Sequence, residues 1–481
     1  MASRIERRGF LKKAVQSTLA ASALSPLVTA QTNTAQESKN AAPAAHDKQK
    51  HATPAARPKP PLTFNVRDFG ATGDGQTRDT AAIQEALDRC GVLGGGEVLV
   101  PAGNYSTGSL ALRSDTVLRL EEGANLLGTA DFADYPVTQV RWEGRWIQGH
   151  VGLIYAIDAD HLAVVGPGKI TGNEALGGRP NAQNPLRHPC LVEFITCNDI
   201  RLEDFSTSMR LMWSIHPTNC ENISIKNLTV QSTGGNGDGV DIDSCKHVVI
   251  DGCNFSTGDD CISLKSGRGE EAYSLMDTTE DVLISNCTFA DSIFACIGIG
   301  SELSGGVRNA RIEHCKFIGA RSYAIYIKSR IGRGAFIEDI VAEDLEVSGM
   351  KQGFLRIELL TSGIQDQYPV PGVAGIPAAK NFRFSNVRVT DVPTLVEAIA
   401  ISPQKPLDGF TLSNVTGTCE KGIFLANAKD VKFSNIAVKG YEGSLLNLYN
   451  VTGTGLAGAA KIEPPKVPDV IPEPGTPYQL H

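Results

Sequence analysis

One short unit recurs along most of the chain and constrains its fold more than any other feature. In each copy, apolar and polar residues alternate over a few positions, and a small polar residue, often Asn, precedes the last apolar residue. Alternation of this kind, ended by a turn residue, is typical of a β-strand that is buried on one face. The copies occupy residues 198–205, 221–228, 246–253, 280–287, 308–315, 338–345, 380–387, 408–415 and 429–436.

A unit of this size has no core of its own, so neighbouring units must stack to bury the apolar side of each strand. The first three copies begin at residues 198, 221 and 246, which leaves enough chain between them for one coil of a solenoid. The sequence therefore predicts an all-β fold, a right-handed single-stranded parallel β-helix with one coil per unit. A β-sandwich or a propeller is the rival, but neither explains why the same residue types recur at fixed positions of the unit.

Asparagine and cysteine recur at such fixed positions, so stacking must align them in columns. Asn amides in a column can satisfy turn groups along the coil, and cysteines in a column fit small buried side chains better than disulfides. The 11 cysteines are odd in number, and no Cys-x-x-Cys pair or histidine cluster occurs. We therefore predict mostly reduced core thiols and no metal site. The columns contain Asn227, Asn286, Asn386, Asn414 and Asn435, then Cys197, Cys220 and Cys245, and then Cys253, Cys287 and Cys315.

Before the repeat, one segment has the pattern of an amphipathic helix. Asp79 stands where an N-cap belongs, and the apolar side chains after it fall on one helical face. A β-helix exposes unpaired strand edges and core at its ends. We therefore predict that this short N-terminal helix caps the coil through Ala82, Ile83, Ala86, Leu87 and Cys90.

The chain divides into four predicted parts. Residues 1–30 combine paired arginines, a short apolar region and a small-residue end, which is typical of a twin-arginine-type signal peptide. Residues 31–62 have almost nothing to bury and are predicted to be a disordered linker. Residues 63–457 form the predicted parallel β-helix domain, and residues 458–481 a Pro-rich C-terminal tail. The signal predicts export from a bacterial cell, into the periplasm or the medium.

The overall charge excludes one class of partner. A formal net charge of −8 argues against nucleic acid, which requires a basic face on the protein. It does not exclude an acidic sugar, because a groove can be locally basic on an acidic protein. Once the signal is set aside, no apolar run is long enough to cross a bilayer. We expect a monomer with no nucleic-acid partner and no membrane-inserted segment.

Three acidic residues carry the chemistry that the sequence suggests. Aligning residues 240–245 with residues 262–267 places Asp238 and Asp260 one coil apart in the same column, with Asp259 beside them. Parallel strands lie about 4.8 Å apart, so these carboxylates are expected to be close neighbours. Like charges at that distance raise the pKa of at least one group, and a raised pKa suits a general acid.

The acids lie in motifs that resemble those of glycoside hydrolase family 28, the polygalacturonase-like pectin hydrolases. Asn236-Gly237-Asp238 and Gly258-Asp259-Asp260 are similar to the family's Asn-Thr-Asp and Gly-Asp-Asp motifs, and residues 64–128 resemble its N-terminal signature. The resemblance implies an inverting hydrolase of galacturonic acid or rhamnogalacturonan-type bonds that needs no cofactor. It also implies that Asp259 is the general acid and that Asp238 and Asp260 hold and deprotonate the water. For inversion, acid and base are expected roughly 6.5–9.5 Å apart.

Two further motifs of that family are altered here. Phe294 stands where the resemblance places a His, and Tyr326 stands where it places an Arg, while the following Lys328 is retained. We expect Lys328 to bind a substrate carboxylate or hydroxyl and Tyr326 to stack on a sugar ring. Arg330 and Arg333 could supply the lost positive charge, although a solvent-exposed loop is the simpler interpretation. These changes favour an activity other than that of an ordinary endo-polygalacturonase.

The remaining site candidates follow from the inward and outward alternation of the strands. Asn236 is expected to orient the first aspartate or the sugar. Lys265 points outward and is predicted to pair with Asp243 one coil below. Trp213 and His216 lie one coil earlier and are candidates for another wall of the substrate site, although a buried structural Trp fits the sequence equally well.

Other functions remain compatible with the sequence alone. Insertions at 268–279 and 362–379 could close one end of a groove, which favours exo action. A polysaccharide lyase could use the three aspartates to bind Ca²⁺ and an Arg or Lys as base. The altered motifs also allow a non-catalytic carbohydrate-binding coil. The family resemblance favours hydrolysis among these alternatives.

Overall fold

The computed structural model describes residues 62–180 and 185–468. The predicted signal peptide, all of the predicted linker except Leu62, and the tail from residue 469 therefore lie outside the described residues. The described chain is nearly all β, and its strands form one large parallel sheet that winds through successive coils. The predicted fold class, a parallel β-helix, is confirmed.

Each coil contributes a strand to three faces of the β-helix. The face that carries the site, here called the site sheet, contains Leu110–Ala111, Ile154–Ile157, Val192–Ile195, Ile215–Thr218, Val240–Asp243, Ile262–Lys265, Ile297–Ile299, Tyr323–Lys328 and Gly353–Glu358. The second face contains Thr63–Asn65, Gly96–Val100, Thr116–Leu120, Asp160–Val165, Asn198–Glu203, Glu221–Lys226, Lys246–Asp251, Thr279–Ser285 and Val307–Glu313. The third face contains Asp74–Arg78, Gly103–Thr107, Ala124–Gly128, Lys169–Thr171, Ser206–Arg210, Thr229–Thr233, Asn254–Thr257, Thr288–Ser292 and Lys316–Phe317.

In the later coils the strands run on without interruption from one face to the next. These long strands are Phe336–Ser348, Ala378–Ala400, Leu407–Lys439 and Leu446–Thr454, followed by the short Ala460–Lys461. In the described part of the chain, short 3-10 helices also occur at Val66–Phe69, Phe132–Asp134, Glu174–Leu176 and Gly372–Gly375.

The register of the site sheet aligns apolar side chains inside the coil. Val240 pairs with Ile262, Ile262 with Ile297, and Ile297 with Ile325. All four side chains are fully buried in the main core cluster. Because side chains alternate across a strand, their neighbours in sequence point away from this core. The predicted inward and outward alternation is therefore confirmed for these strands.

The Asn column is present and forms hydrogen-bonded ladders. Its five residues have positive φ angles from 53° to 56°, a conformation that Asn tolerates better than most residues. The side-chain amide of Asn435 donates to Asn414 at 3.0 Å, and that of Asn414 donates to Asn386 at 3.0 Å. In earlier coils the acceptor is an aspartate, as for Asn227 on Asp204 at 3.1 Å. The ladder fixes the same turn in coil after coil.

The cysteines stack as predicted. All 11 are free and buried. The backbone N–H of Cys197 donates to the sulfur of Cys220 at 3.3 Å, and that of Cys220 donates to the sulfur of Cys245 at 3.4 Å. Burial raises the pKa of the Cys190 and Cys220 thiols. These thiols are core side chains that also accept hydrogen bonds from turn backbone.

The predicted capping helix spans Thr80–Val92. It buries Ile83, Ala86, Leu87 and Cys90 against the first strands. Asp79 holds the N-cap position, but its carboxylate accepts from the backbone N–H of Thr72 at 2.7 Å instead of from the helix. Among the described residues, neither α-helix is long and apolar enough to span a membrane.

Two elements depart from the regular coil. Val137–Trp142 and Arg145–His150 form an antiparallel hairpin outside the large sheet. The sequence analysis did not predict this hairpin. The predicted insertion at residues 268–279 contains the helix Gly269–Leu275. Both elements lie beside the candidate site.

Candidate active site

The three aspartates converge on one face of the β-helix. Asp238 precedes the strand Val240–Asp243, while Asp259 and Asp260 precede the next strand of the site sheet. The backbone N–H of Gly239 donates to the carbonyl of Asp260 at 3.0 Å, so the two turns stack directly. One oxygen of each carboxylate lies within 4.8 Å of the others. The alignment of coils therefore predicts this cluster correctly.

Asp260 lies in the most strongly hydrogen-bonded position of the three. Its carboxylate accepts from the hydroxyl of Ser263 at 2.8 Å, the ammonium of Lys328 at 2.7 Å and the backbone N–H of Ala295 at 3.2 Å. Only 2% of the residue is exposed. These donors hold Asp260 in one orientation. The Asp260 carboxylate raises the pKa of Lys328, although burial alone would lower it.

Lys265 makes a different pair from the predicted one. Its ammonium lies 2.7 Å from Asp241 and 3.7 Å from Asp238, whereas Asp243 is held by Arg141 at 3.2 Å. The predicted pair with Asp243 is therefore wrong. Backbone register does align Lys265 with Asp243, but the long side chain extends along the sheet to the carboxylates nearer the cluster.

The environment raises the pKa of two of the three acids. Burial is the main cause at Asp238, where the nearby Asp241 and Asp259 add to it and hold the pKa well above its usual range. Burial and then the charge of Asp260 raise the pKa of Asp259. Both carboxyls therefore keep a proton at a higher pH than an exposed aspartate. The expected rise of a pKa in the cluster is supported at both positions.

Asn236 contacts a different acid from the predicted one. Its backbone N–H donates to the Asp259 carboxylate at 3.2 Å, and its side-chain oxygen accepts from Arg179 at 2.8 Å. No hydrogen bond to Asp238 is formed within the described part of the chain. Asn236 therefore supports Asp259 and connects it to a cation at the rim of the site.

Of the two residues predicted to form a wall of the substrate site, Trp213 lines the pocket and His216 does not. His216 is fully buried and lies between Trp213, whose ring centroid is 4.8 Å away, and Glu193, 3.8 Å from its Nδ1. It cannot touch a substrate there. Trp213 lines the pocket but is only 1% exposed, because Trp142 packs on its ring at 4.6 Å and the Lys265 ammonium lies over the ring at 4.2 Å. This tryptophan positions Lys265.

The two substituted family positions form an aromatic cluster beside Lys328. The Lys328 ammonium lies 4.4 Å from the centre of the Phe294 ring, and Phe294 packs on Tyr326 at 5.7 Å. Tyr326 is 7% exposed, its hydroxyl donates to Glu358 at 3.1 Å, and Arg356 covers its ring at 5.3 Å. The prediction that Tyr326 stacks on a sugar is therefore wrong, because its ring is already covered.

The aspartates line a pocket of about 160 Å³ whose other walls include residues that the sequence analysis did not identify. Glu143, at the tip of the hairpin, pairs with Arg179 at 2.9 Å. Glu302 and Ile364 contribute further wall. Only the hairpin turn had a local signal, a Glu-Gly pair between alternating segments. The other residues act through long-range contacts that have no such signal.

Asp366 ties these walls together. It is fully buried and lies 2.9 Å from Arg145 of the hairpin and 3.3 Å from Arg268 of the 268–279 insertion. It also pairs with Arg333, which is fully buried. The interpretation of Arg333 as a solvent-exposed loop residue is therefore wrong. One carboxylate thus joins the hairpin and both insertions at one side of the pocket.

The three acids are close enough to share one water. Their nearest oxygens lie within 4.8 Å of one another, a shortest-contact distance that is smaller than the separation of the carboxyl groups themselves. A water on this cluster would be held beside the acids, bridging two of them.

Comparisons with known proteins place this geometry in a family. The model for glycosyl hydrolases family 28 matches residues 90–460. A probable polygalacturonase from Vitis vinifera is 32% identical over 365 residues, which are 73% of this chain and 73% of the relative. An exo-poly-alpha-D-galacturonosidase from Dickeya chrysanthemi is 26% identical over 443 residues, 78% of this chain and 71% of the relative.

Solved structures support the fold. The exopolygalacturonase from Thermotoga maritima has a TM-score of 0.69 at 24% identity, covering 79% of this chain and 94% of that one. The family 28 exopolygalacturonase from Yersinia enterocolitica has a TM-score of 0.68 at 22% identity, covering 82% and 78%.

Proposed function

The chain belongs to the family 28 glycosyl hydrolases, and on that premise we propose that it is an exo-acting, inverting hydrolase of pectic chains. Membership of the family makes it a glycoside hydrolase, which decides against the lyase and the non-catalytic coil. The observation that carries the proposal is the convergence of three aspartates and two lysines on one small pocket. The relatives named as polygalacturonases support a pectic substrate.

We assign the general acid to Asp259. It is the most exposed of the three acids, and its raised pKa lets it carry a proton to the leaving oxygen of the glycosidic bond. A water bridges Asp238 and Asp260. The oxygen of this water attacks the anomeric carbon while one of the two carboxylates takes a proton from the water. The bond from that carbon to the leaving oxygen breaks, and both acids exchange protons with solvent to return to their starting states.

The two lysines balance the charge of the acids and offer donors to the substrate. Lys328 donates to the Asp260 carboxylate and keeps it oriented as an acceptor, a state that suits a general base. Lys265 pairs with Asp241 and lies near Asp238. Both ammonium groups line the pocket, and each has three donors. A substrate carboxylate or hydroxyl can use the donors that the aspartates leave free.

Two features of the pocket support the proposed exo action. The pocket is small, with a volume of about 160 Å³, which suits the end of a sugar chain. The hairpin and both insertions close its side through Asp366, whose three arginine partners bury the junction. A wall on this side favours entry by a chain end over passage of a long chain.

The product profile of a pectic oligosaccharide digest tests this proposal. We expect a single sugar as the first product, and substrates shortened by one sugar at each step. Early release of mid-sized oligosaccharides would contradict exo action. The variant Asp366→Asn breaks the junction and is expected to release longer products. The control Asp408→Asn, an exposed aspartate paired with Lys429 at 3.1 Å, is expected to leave the profile unchanged.

We also propose that the protein reaches its substrate by export through the twin-arginine route. Support comes from the sequence of residues 1–30, which combine Arg7 and Arg8 with a short apolar region. Replacing both arginines by lysine is expected to keep the enzyme inside a bacterial host. Export of that variant at the normal level would contradict the proposed route.

A further inference from the structure

Glu302 is a carboxylate of the pocket that the proposed mechanism leaves without a role. It follows the strand Ile297–Ile299 of the site sheet, one coil after Asp260. Its backbone carbonyl accepts from Ser266 at 2.7 Å, which fixes the position of the residue. Only 8% of the residue is exposed, and it lines the pocket together with the three aspartates.

The charge of Glu302 is stabilised from a distance. Burial alone would raise its pKa, but Lys265, Arg333, Arg268 and Lys328 together lower it to about 2. Glu302 is therefore ionised at any pH at which the enzyme is expected to work.

Yet each of those cations has a closer partner. Lys265 lies 2.7 Å from Asp241 and Lys328 lies 2.7 Å from Asp260. Both arginines pair with Asp366 of the pocket wall. Among the described residues, no lysine or arginine forms an ion pair with Glu302 within 4.0 Å. Its one side-chain hydrogen bond comes from Ser301 at 3.4 Å, a long distance for a hydroxyl donor. The carboxylate thus keeps most of its acceptor capacity.

The residues packed around Glu302 leave its carboxylate facing the pocket. The hairpin tip packs on the stem of Glu302, so closely that a Cβ at Gly144 would lie 2.9 Å from its Cγ. Gly144 has a φ of 78° and also leaves room for the backbone N–H of Arg268 to donate to its carbonyl at 3.0 Å. The stem is therefore covered and the carboxylate faces the cavity.

A buried, ionised carboxylate with free acceptor sites selects ligands by chemistry. It repels a second carboxylate, but it accepts two hydrogen bonds from neighbouring hydroxyls, and such charge-assisted bonds are strong. Building on the proposed function, we infer that Glu302 binds two adjacent ring hydroxyls of the sugar that the enzyme releases. Glu302 thereby determines specificity for that sugar, and the carboxylate of a uronic acid must lie on the opposite side, towards Lys328.

The test combines a variant with altered substrates. Wild type, Glu302→Gln and Glu302→Ala are assayed on a short pectic oligosaccharide and on analogues in which one ring hydroxyl of the released sugar is replaced by hydrogen. We expect Glu302→Gln to lower kcat/KM about ten- to a hundredfold on the intact substrate. On analogues that lack a bound hydroxyl, the difference between variant and wild type should shrink.

The matched control is Glu280→Gln, a carboxylate on the second face of the coil that pairs with Lys246 at 2.7 Å. This control is expected to behave as wild type on every substrate. An unchanged kcat/KM in Glu302→Gln, or an equal loss on all analogues, would overturn the inference. If both variants fail to fold, Glu302→Asp replaces them, because it keeps the charge but shortens the side chain, and an unchanged kcat/KM in that variant would overturn the inference.

Failure of the proposed function gives a distinct result. In that case wild type cleaves none of the substrates, and calorimetric binding of the free sugar and its deoxy analogues replaces the assay. Weaker binding of the intact sugar by Glu302→Gln would still support the role of Glu302. Equal binding of all sugars by both proteins would overturn it.

Discussion

At the scale of single residues, the three aspartates differ because their donors differ. Asp260 accepts three hydrogen bonds, one of them from a lysine. Asp238 is 4% exposed and has one lysine at 3.7 Å, while burial and three nearby carboxylates raise its pKa. The same side chain therefore serves as a fixed acceptor at one position and as a proton-retaining group at the other.

This difference predicts that Asp238 costs the folded protein stability at neutral pH. Its pKa is raised above the unfolded value of about 3.9, so the folded state binds more protons than the unfolded state between the two values. Its contribution to stability is present below the unfolded pKa and is lost as pH rises through the folded pKa. Asp238→Asn should therefore raise Tm by a few degrees at neutral pH.

Thermal unfolding at several pH values checks the prediction. The gain should vanish at a pH below about 3.9, where the unfolded carboxyl is also protonated. The control Asp430→Asn removes an exposed turn carboxylate and should show no such pH-dependent gain. A lower Tm for Asp238→Asn at neutral pH would mean that Lys265 stabilises the charge more than burial and neighbours oppose it.

The sequence predicted which residues share a column of the coil, but not which partners the ends of long side chains contact. Coil alignment placed the three aspartates together because their carboxylates stay close to the backbone. Lys265 has a long, flexible side chain that pairs with Asp241 instead of Asp243. The inward and outward alternation along a strand does not show which partner such a side chain reaches. His216 was misplaced for another reason, since strand alternation indicates a side chain that points out of the coil but not that Trp213 and Glu193 enclose it.

At the scale of elements, the Asn ladder fixes the turns between faces. Asn414 has a φ of 54° and both accepts and donates in the ladder. A left-handed conformation costs an ordinary residue about 1–2 kcal/mol, whereas Gly adopts it freely. We expect Asn414→Ala to lower the free energy of unfolding by about that amount, and Asn414→Gly by less.

Thermal unfolding of both variants checks this ranking. Wild type should have the highest Tm, followed by the Gly variant and then the Ala variant. Equal Tm values for the two variants would show that the ladder hydrogen bonds, and not the backbone conformation, account for the contribution of Asn414.

The elements that the sequence analysis missed are those that leave the repeat. The hairpin at 137–150 turns at Glu143 and Gly144, which both have positive φ, 43° and 78°, as a two-residue type I′ turn requires. That turn has a local signature. Its docking on the pocket does not, because it depends on Asp366, more than two hundred residues away along the chain.

At the scale of the whole molecule, the core excludes solvent from every thiol. The 11 cysteines are free and buried along the coil, so an export route through an oxidising compartment would not require disulfides. We expect a thiol reagent to label no cysteine in the native protein and 11 after denaturation. Reducing agent should leave Tm unchanged. Rapid labelling of the native protein, or a Tm that falls on reduction, would contradict the buried-thiol core.

The anomeric configuration of the first sugar released from a pectic oligosaccharide, followed by NMR, is the most direct test of the account. We predict that wild type releases a single sugar with inverted configuration and that Asp259→Asn is slower by about 10²–10⁴-fold. A product with retained configuration would contradict attack by a water bridging Asp238 and Asp260. An unsaturated product would contradict hydrolysis itself, and an Asp259→Asn variant as fast as wild type would contradict the assignment of the acid.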